Sequence, residues 1–301
     1  MSNSVAVQER PPQQLKNANR TFRRRFIPLW LLIPALVAIL ISFIIPLIVL
    51  VRMSFNETGP GTTLISAWSL ETYIQAVGDP YYWEIILNTL KLGIVVSVIT
   101  IILSYPIALF LTKTTSKWKG FLFALAIGPL LTSQIARTFG WIALLGNEGA
   151  VNSALLKIGL IDTPLQMSNN FTGTVVALVE VLMPYALLGM VSGFSRVSTE
   201  LELAAGVLGA SPLVRFWRIT LPLSLPGVFT GFLLVFVLTI SSFVTPHLLG
   251  GGRVHVLATE IYDEATQTLN WPLAASLAVI LLILFGVLVS VYQSLTKKLG
   301  S

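Results

Sequence analysis

The chain has 301 residues, a formal net charge of +6 and no cysteine. Its mean hydropathy is +0.82 and charged residues make up only 11% of it, which excludes an ordinary water-soluble domain and predicts a membrane protein with several helical spans. The lack of cysteine excludes disulfides, thiolate metal sites and cysteine nucleophiles.

The N-terminal part combines a polar tail with a long apolar run. Residues 1–26 are rich in Gln, Asn and Pro and contain Arg23, Arg24 and Arg25 near their end, so we predict a disordered basic tail. The run 26–51 is too long for a signal-peptide core and has no small-residue cleavage site. We therefore predict that it is the first membrane span and that the chain enters from the cytoplasm.

Five more apolar runs are long enough to cross a membrane. Lys and Arg residues concentrate in the terminal tails and in the connections after the second and fourth runs, whereas the other loops contain Lys157 and Arg253. The positive-inside rule then places both termini in the cytoplasm. We predict an all-α membrane domain of six spans over residues 27–296 and a cytoplasmic tail over 297–301. The five runs cover residues 85–111, 121–145, 172–194, 223–249 and 271–293.

Motifs that would indicate catalysis are missing from the sequence. No Gly-Lys dipeptide occurs, so the chain lacks the phosphate-binding loop of an ATPase. His247 and His255 are not in a His-Glu-x-x-His frame, and no Ser lies in a Gly-x-Ser-x-Gly motif. We therefore predict a non-enzymatic protein without a metal site. Nucleic-acid binding is disfavoured as well, because the basic residues follow the predicted membrane topology.

Residues 199–218 lie between the fourth and fifth runs and have a helical pattern of their own. Thr199 and Glu202 have the spacing of a capped helix start, and Gly209 permits the chain to turn after that helix. Ser211 and Pro212 predict the start of a second short helix. The first helix has a narrow apolar face formed by Leu201, Ala204, Ala205 and Leu208.

Segment 199–218 and the residues after it resemble the EAA signature of ABC importer permeases, Glu-Ala-Ala-x3-Gly-x9-Ile-x-Leu-Pro. This resemblance implies a type I importer permease fold, in which the motif forms coupling helices that dock on a cytosolic ATPase. The residues that match the signature in order and spacing are Ala204, Ala205, Gly209, Ile219, Leu221 and Pro222.

The signature glutamate has no direct counterpart in this chain. Its position is occupied by Leu203, with Glu202 one residue earlier. Either Glu202 or Glu200 replaces the usual polar contact, or the coupling relies on packing. The resemblance implies that the ATPase-coupling residues are Glu200, Glu202, Leu203, Ala204, Ala205, Gly209, Ser211, Pro212, Arg215 and Arg218.

The wider sequence is similar to the spermidine/putrescine branch of these permeases, so a polyamine is the expected cargo. Opine, aminoethylphosphonate and iron(III) importers carry related permeases and stay open as alternatives. The resemblance implies a bacterial inner-membrane protein that works with a second, similar permease subunit, two copies of an ATPase that binds ATP and Mg, and an external binding protein. No cofactor is expected in this chain. The similarity is carried by residues 68–73, 103–108, 161–164, 182–185 and 270–273.

Polar residues inside the predicted spans are candidates for a cargo path. An ionised Glu180 in hydrocarbon would cost several kcal/mol, so it must face a partner, water or a cargo. Arg137 in the third span is its expected partner, and an arginine in the path keeps anionic or zwitterionic cargo open. Packing or interhelical contacts are the alternative role for these side chains. The full set of candidates is Gln134, Arg137, Glu180, Tyr185, Ser241, Ser242 and Thr245.

Two other classes of protein fit the hydropathy less well. A secondary transporter driven by an ion gradient would favour inverted hydropathy repeats and a relay of membrane carboxylates, whereas only Glu180 is a candidate here. A structural membrane anchor would leave the polar residues within the spans unexplained.

Overall fold

The computed structural model describes residues 32–194 and 197–299, so the predicted tail 1–26 lies outside the described residues. The chain divides into two compact units, with the boundary between Met53 and Ser54. In the first unit, helix α1 (Leu32–Met53) is apolar enough and long enough to cross a membrane. This helix corresponds to the first predicted span.

The second unit is also mainly helical. It begins with an antiparallel pair of two-residue strands, β1 (Glu57–Thr58) and β2 (Leu64–Ile65). The helices that follow are α2 (Glu71–Gly78), α3 (Pro80–Lys113), α4 (Lys119–Leu131), α5 (Gln134–Leu145), α6 (Ala150–Lys157), α7 (Phe171–Phe194), α8 (Thr199–Val207), α9 (Pro212–Ile240), α10 (Val244–Leu249), α11 (Leu257–Thr266) and α12 (Trp271–Leu299). Like α1, the helices α3, α7, α9 and α12 are each long and apolar enough to span a membrane, and α4 together with the stretch that contains α5 and α6 makes a sixth candidate, which is bent.

The third predicted span is not one straight helix. Helix α4 and the stretch Gln134–Lys157, which contains α5 and α6, are bent by 92° relative to each other. The last turn of α4 is a 3₁₀ turn that begins at Gly128. Its second residue, Pro129, has no N–H and therefore cannot donate the hydrogen bond that would continue a regular helix. Ser133 then takes an extended conformation and caps α5, its hydroxyl accepting from the Ala136 N–H at 3.5 Å.

The fifth span was predicted over residues 223–249, and the observed helix differs from this range at both ends. Helix α9 already begins at Pro212 within segment 199–218, and it ends at Ile240. The chain resumes as α10 with Pro246 in its first turn. Pro246 cannot donate to the carbonyl of residue 242, so a continuous helix would lose a hydrogen bond there, whereas the first turn of a new helix tolerates proline.

Helices α3, α7 and α9 form the core of the second unit, and α7 and α9 approach each other through glycine. Gly189 and Gly193 on α7 face Gly231 and Gly227 on α9. A Cβ on Gly193 would lie 2.2 Å from the Cα of Gly227, and one on Gly189 would lie 2.7 Å from the Cα of Gly231. Both helices therefore use a Gly-x3-Gly spacing to bring their backbones together. This contact was not predicted from the sequence.

Candidate functional site

The breaks in two spans meet at a cavity of about 470 Å³. The bend between α4 and α5 forms one wall, the connection from α9 to α10 forms another, and α7 supplies the rest. Backbone polar groups freed by a broken helix are tolerated at membrane depth where they line such a cavity or are buried in protein. The lining consists of Leu130, Thr132, Gln134, Arg137, Val181, Leu182, Tyr185, Leu238, Ser241, Ser242, Phe243 and Val244.

The predicted pair of Arg137 and Glu180 is present. Arg137 Nη1 donates to Glu180 Oε1 at 3.3 Å, and Trp141 Nε1 donates to Glu180 Oε2 at 3.2 Å. The Arg137 side chain is 16% exposed and that of Glu180 is 35% exposed. Arg137 is among the described residues that line the cavity, whereas Glu180 is not. Glu180 therefore neutralises the arginine of the lining rather than forming the wall.

A second polar contact fixes α10 against α5. Gln134 Nε2 donates to Thr245 Oγ1 at 3.5 Å, and the hydroxyl oxygens of Thr138 and Thr245 are 3.2 Å apart. Both threonines are fully buried. Of the predicted cargo-path residues, Thr245 is thus used in a helix contact, while Gln134, Tyr185, Ser241 and Ser242 line the cavity.

Two atoms of the lining residues retain unused hydrogen-bonding capacity. Arg137 Nε and Ser242 Oγ are buried and have no hydrogen-bond partner among the described residues. Leaving a buried polar atom unpaired costs about 1–3 kcal/mol, so each such atom requires an explanation. Thr100 Oγ1 and Ser104 Oγ on α3 are unpaired in the same way, so this property is not confined to the cavity.

An aromatic cluster adjoins the cavity. Phe243, which lines it, lies against His247 and Tyr262, with ring centroids 4.9 and 4.4 Å away. Phe243, Tyr262, Trp141 and Thr138 were not predicted from the sequence. Three of them had a local signal, since Phe243 follows Ser242, and Thr138 and Trp141 lie one helical turn after Gln134 and Arg137. Tyr262 had none, because it comes from a different helix, α11.

Segment 199–218 forms the predicted helix, turn and helix, with two differences. Helix α8 is capped by Ser198, whose hydroxyl accepts from the Glu200 N–H at 3.1 Å, so the predicted cap at Thr199 is wrong by one residue. The second helix is the start of α9, which continues without a stop into the fifth span. Gly209 forms the turn with a φ of +83°, a conformation that favours glycine.

Glu202 joins three helices instead of completing a helix cap. Its Oε1 accepts from Lys113 Nζ, at the end of α3, and from Thr220 Oγ1, on α9, both at 2.5 Å. Arg215 Nη1 donates to its backbone carbonyl at 3.4 Å. Burial alone would raise the pKa of Glu202, but the bonds from Lys113 and Thr220 outweigh burial and hold that pKa below its ordinary value.

Part of the remaining surface of segment 199–218 is apolar and exposed. Leu203, in the signature glutamate position, is 63% exposed, while Val207 and Leu208 are 89% and 86% exposed. Exposed apolar patches of this kind mark contacts with another protein or with a membrane. Of the other predicted coupling residues, Ser211 caps α9, Pro212 is its first residue, Arg215 and Ala205 are half-buried, and Glu200, Ala204 and Arg218 are exposed.

The structure thus combines five or six candidate membrane spans with a polar cavity and an exposed helical segment. The chain matches the family described as "Binding-protein-dependent transport system inner membrane component" over residues 16–299 and belongs to that family. It is therefore an ABC importer permease subunit, a multi-pass protein of the inner membrane, as the EAA resemblance predicted.

Named relatives cover nearly the whole chain. It is 29% identical over 270 residues to the spermidine/putrescine transport system permease protein PotB of Escherichia coli (strain K12), which covers 89% of this chain and 98% of that protein. It is 28% identical over 269 residues to PotB of Haemophilus influenzae, covering 88% and 94%. The predicted resemblance to the spermidine/putrescine branch is thus confirmed.

A solved structure has the same fold. The chain is similar to a chain of a bacterial alginate ABC transporter in complex with an alginate pentasaccharide-bound periplasmic protein, with a TM-score of 0.76, 16% sequence identity and coverage of 93% of this chain and 96% of that one. This likeness confirms the predicted permease fold.

Proposed function

We propose that the chain is the membrane-spanning subunit of an ATP-driven importer that passes a polyamine, spermidine or putrescine, from an external binding protein to the cytoplasm. One observation carries the proposal. Two spermidine/putrescine permeases match the chain over 98% and 94% of their own lengths, so the likeness extends through all of the candidate spans.

The chemistry of the cavity suits a cationic solute. Glu180 neutralises Arg137, so the lining presents little net positive charge to an ammonium group. Tyr185 and Phe243 offer aromatic faces, which attract ammonium groups by about 0.5–2 kcal/mol. The hydroxyl oxygens of Thr132 and Ser241, two exposed residues of the lining, can accept hydrogen bonds from a protonated amine.

The proposed partners are inferred from segment 199–218, which the chain contains, and from the phosphate-binding loop, which it lacks. It has no phosphate-binding loop, so the energy must come from another subunit. In this proposal, segment 199–218 docks on one of two copies of a cytosolic ATPase, which binds ATP and Mg. A second, similar permease completes the membrane domain, both termini of this chain lie in the cytoplasm, and the external binding protein delivers the cargo.

Uptake by the reconstituted transporter tests the proposal. The chain would be purified with its co-encoded permease and ATPase, placed in liposomes and supplied with the binding protein and labelled spermidine or putrescine. We expect saturable uptake that requires ATP and persists when ionophores dissipate ion gradients. Uptake driven by a gradient without ATP would instead identify a secondary transporter.

A second series of measurements decides the cargo. Arg137 lines the cavity and its guanidinium would suit a carboxylate or phosphonate, so an opine and aminoethylphosphonate are the alternatives that the cavity favours most, with iron(III) as a third. We expect excess unlabelled spermidine to suppress uptake of the label and these three solutes to leave it unchanged. Transport of one of them without polyamine transport would overturn the cargo assignment but leave the importer assignment intact.

A further inference from the structure

Two roles that the EAA signature combines in one motif, anchoring its helix and contacting the docking partner, fall on different residues in this chain. The Glu202 side chain is only 17% exposed, and its Oε1 is already used by Lys113 and Thr220. The next residue, Leu203, is 63% exposed and belongs to the apolar surface of the segment. The carboxylate therefore faces the membrane domain while the signature position faces away from it.

Helix α8 needs such an anchor. It has nine residues, and an isolated helix of this length is marginal in water even with a favourable sequence. On one side the Gly209 turn connects it to α9, but a turn alone does not hold a helix in place. The two short hydrogen bonds to Glu202, one of them from a charged ammonium, tie α8 to the end of α3 and to Thr220, which is 2% exposed.

We propose that Glu202 is a positioning residue that makes α8, the end of α3 and the start of α9 move as one body, and that the docking partner contacts the apolar surface of Leu203, Val207 and Leu208 instead of a carboxylate. The inference rests on the proposed function, because the partner in question is the ATPase of the importer. Motion of the docked ATPase then reaches α3 and α9 together through Lys113 and Thr220.

The test compares the number of solute molecules imported per ATP hydrolysed in the reconstituted transporter. Glu202→Gln should lower this ratio at least fivefold while ATP hydrolysis continues, because the ATPase still docks but its motion reaches α3 poorly. Glu71→Gln is the matched control: the same exchange at an exposed residue in the first turn of α2, for which we expect a ratio within twofold of the unaltered protein.

Exchanging the charges of Lys113 and Glu202 distinguishes a positioning role of Glu202 from a non-specific loss of structure. Lys113→Glu and Glu202→Lys should each lower the ratio, and the double variant, which restores the pair with opposite polarity, should recover at least half of it. If a variant fails to assemble, Thr220→Val removes one bond to Glu202 and keeps both charges, and its ratio should fall about twofold to threefold.

Three outcomes would overturn the inference: an unchanged ratio in Glu202→Gln, no recovery in the double variant, or an equal loss in Glu200→Gln. The last would indicate a carboxylate contact with the ATPase, since Glu200 is exposed on the same helix. A transporter without substitutions that shows no ATP-driven uptake would instead overturn the proposed function, so the two failures are distinguishable.

Discussion

Arg137 and Glu180 are charged residues that lie within the candidate spans and compensate each other. Glu180 accepts from Arg137 and from Trp141, and it is only partly exposed. Removing one member of such a pair leaves the other with an uncompensated charge, which costs more than losing the pair as a whole.

We therefore expect Glu180→Gln to reduce uptake and to lower the free energy of unfolding by about 1–3 kcal/mol. The loss of stability should lie near the lower end of this range, because the Glu180 side chain is 35% exposed. Thermal unfolding of the purified transporter measures this loss of stability. Combining Glu180→Gln with Arg137→Gln should restore part of the stability. A double variant as unstable as the sum of the two single variants would mean that the pair does not act as a unit.

The lowered pKa of Glu202 gives a pH dependence with a definite sign. A carboxylate whose pKa is lower in the folded than in the unfolded state adds stability above its ordinary pKa, about 4.5, and this stability is lost as the pH falls through the folded-state pKa. Amide exchange in α8, corrected for intrinsic rates, should therefore accelerate as the pH falls below about 4.5. In Glu202→Gln the exchange should already be fast at pH 7 and change little on acidification.

At the scale of elements, the glycine contact between α7 and α9 sets how closely these helices pack. Gly193→Ala places a Cβ 2.2 Å from the Cα of Gly227, and a backbone atom cannot rotate away. We expect a loss of about 1–3 kcal/mol in thermal unfolding, the usual cost of overpacking. Gly286→Ala on α12 is the control, because its Cβ would meet no atom within 4 Å and alanine favours a helix. Equal stability of both variants would contradict close packing at Gly193.

The turn after α8 can be tested with a second glycine of the same conformation. Gly209 and Gly159 have φ values of +83° and +69°, and neither has an atom within 4 Å of an added Cβ. Valine should strain both backbones by about 1–3 kcal/mol. Uptake should be blocked only in Gly209→Val, with the subunit still present in the membrane, because only this turn orients segment 199–218. Normal uptake by Gly209→Val would argue against a coupling role for the turn.

The spans were predictable from sequence because about twenty consecutive apolar residues are a local property. The bends were not, although Pro129 and Pro246 lie beside them, since a proline within an apolar run is compatible with a kink, a new helix or a straight span. The pairing of Arg137 with Glu180 was predictable because charges inside spans require partners. The partners of Glu202 were not, because Lys113 lies 89 residues away in the sequence.

At the scale of the whole molecule, the absence of cysteine makes the predicted topology directly measurable. We expect a membrane-impermeant maleimide to label Thr268→Cys in intact spheroplasts, because the loop before α12 is predicted to lie outside. Ser211→Cys should be labelled only after the cells are opened. Both positions are exposed, so accessibility within the protein does not limit either reaction. Labelling in the reverse order would invert the orientation and place segment 199–218 away from any cytosolic ATPase.

The length of helix α9 has a mechanical consequence for segment 199–218 and for the cavity. The 29 residues of α9, from Pro212 to Ile240, form a continuous helical segment about 43 Å long that includes a π-helical turn at Phe216–Thr220 and Pro226. The exposed segment lies at one end, and the cavity residue Ser241 directly follows the other. A rigid tilt of this helix by about 5° at the first end would displace the second by about 4 Å, more than the radius of an ammonium group. Small movements of a docked protein would thus become a change in cavity width without any helix having to unwind.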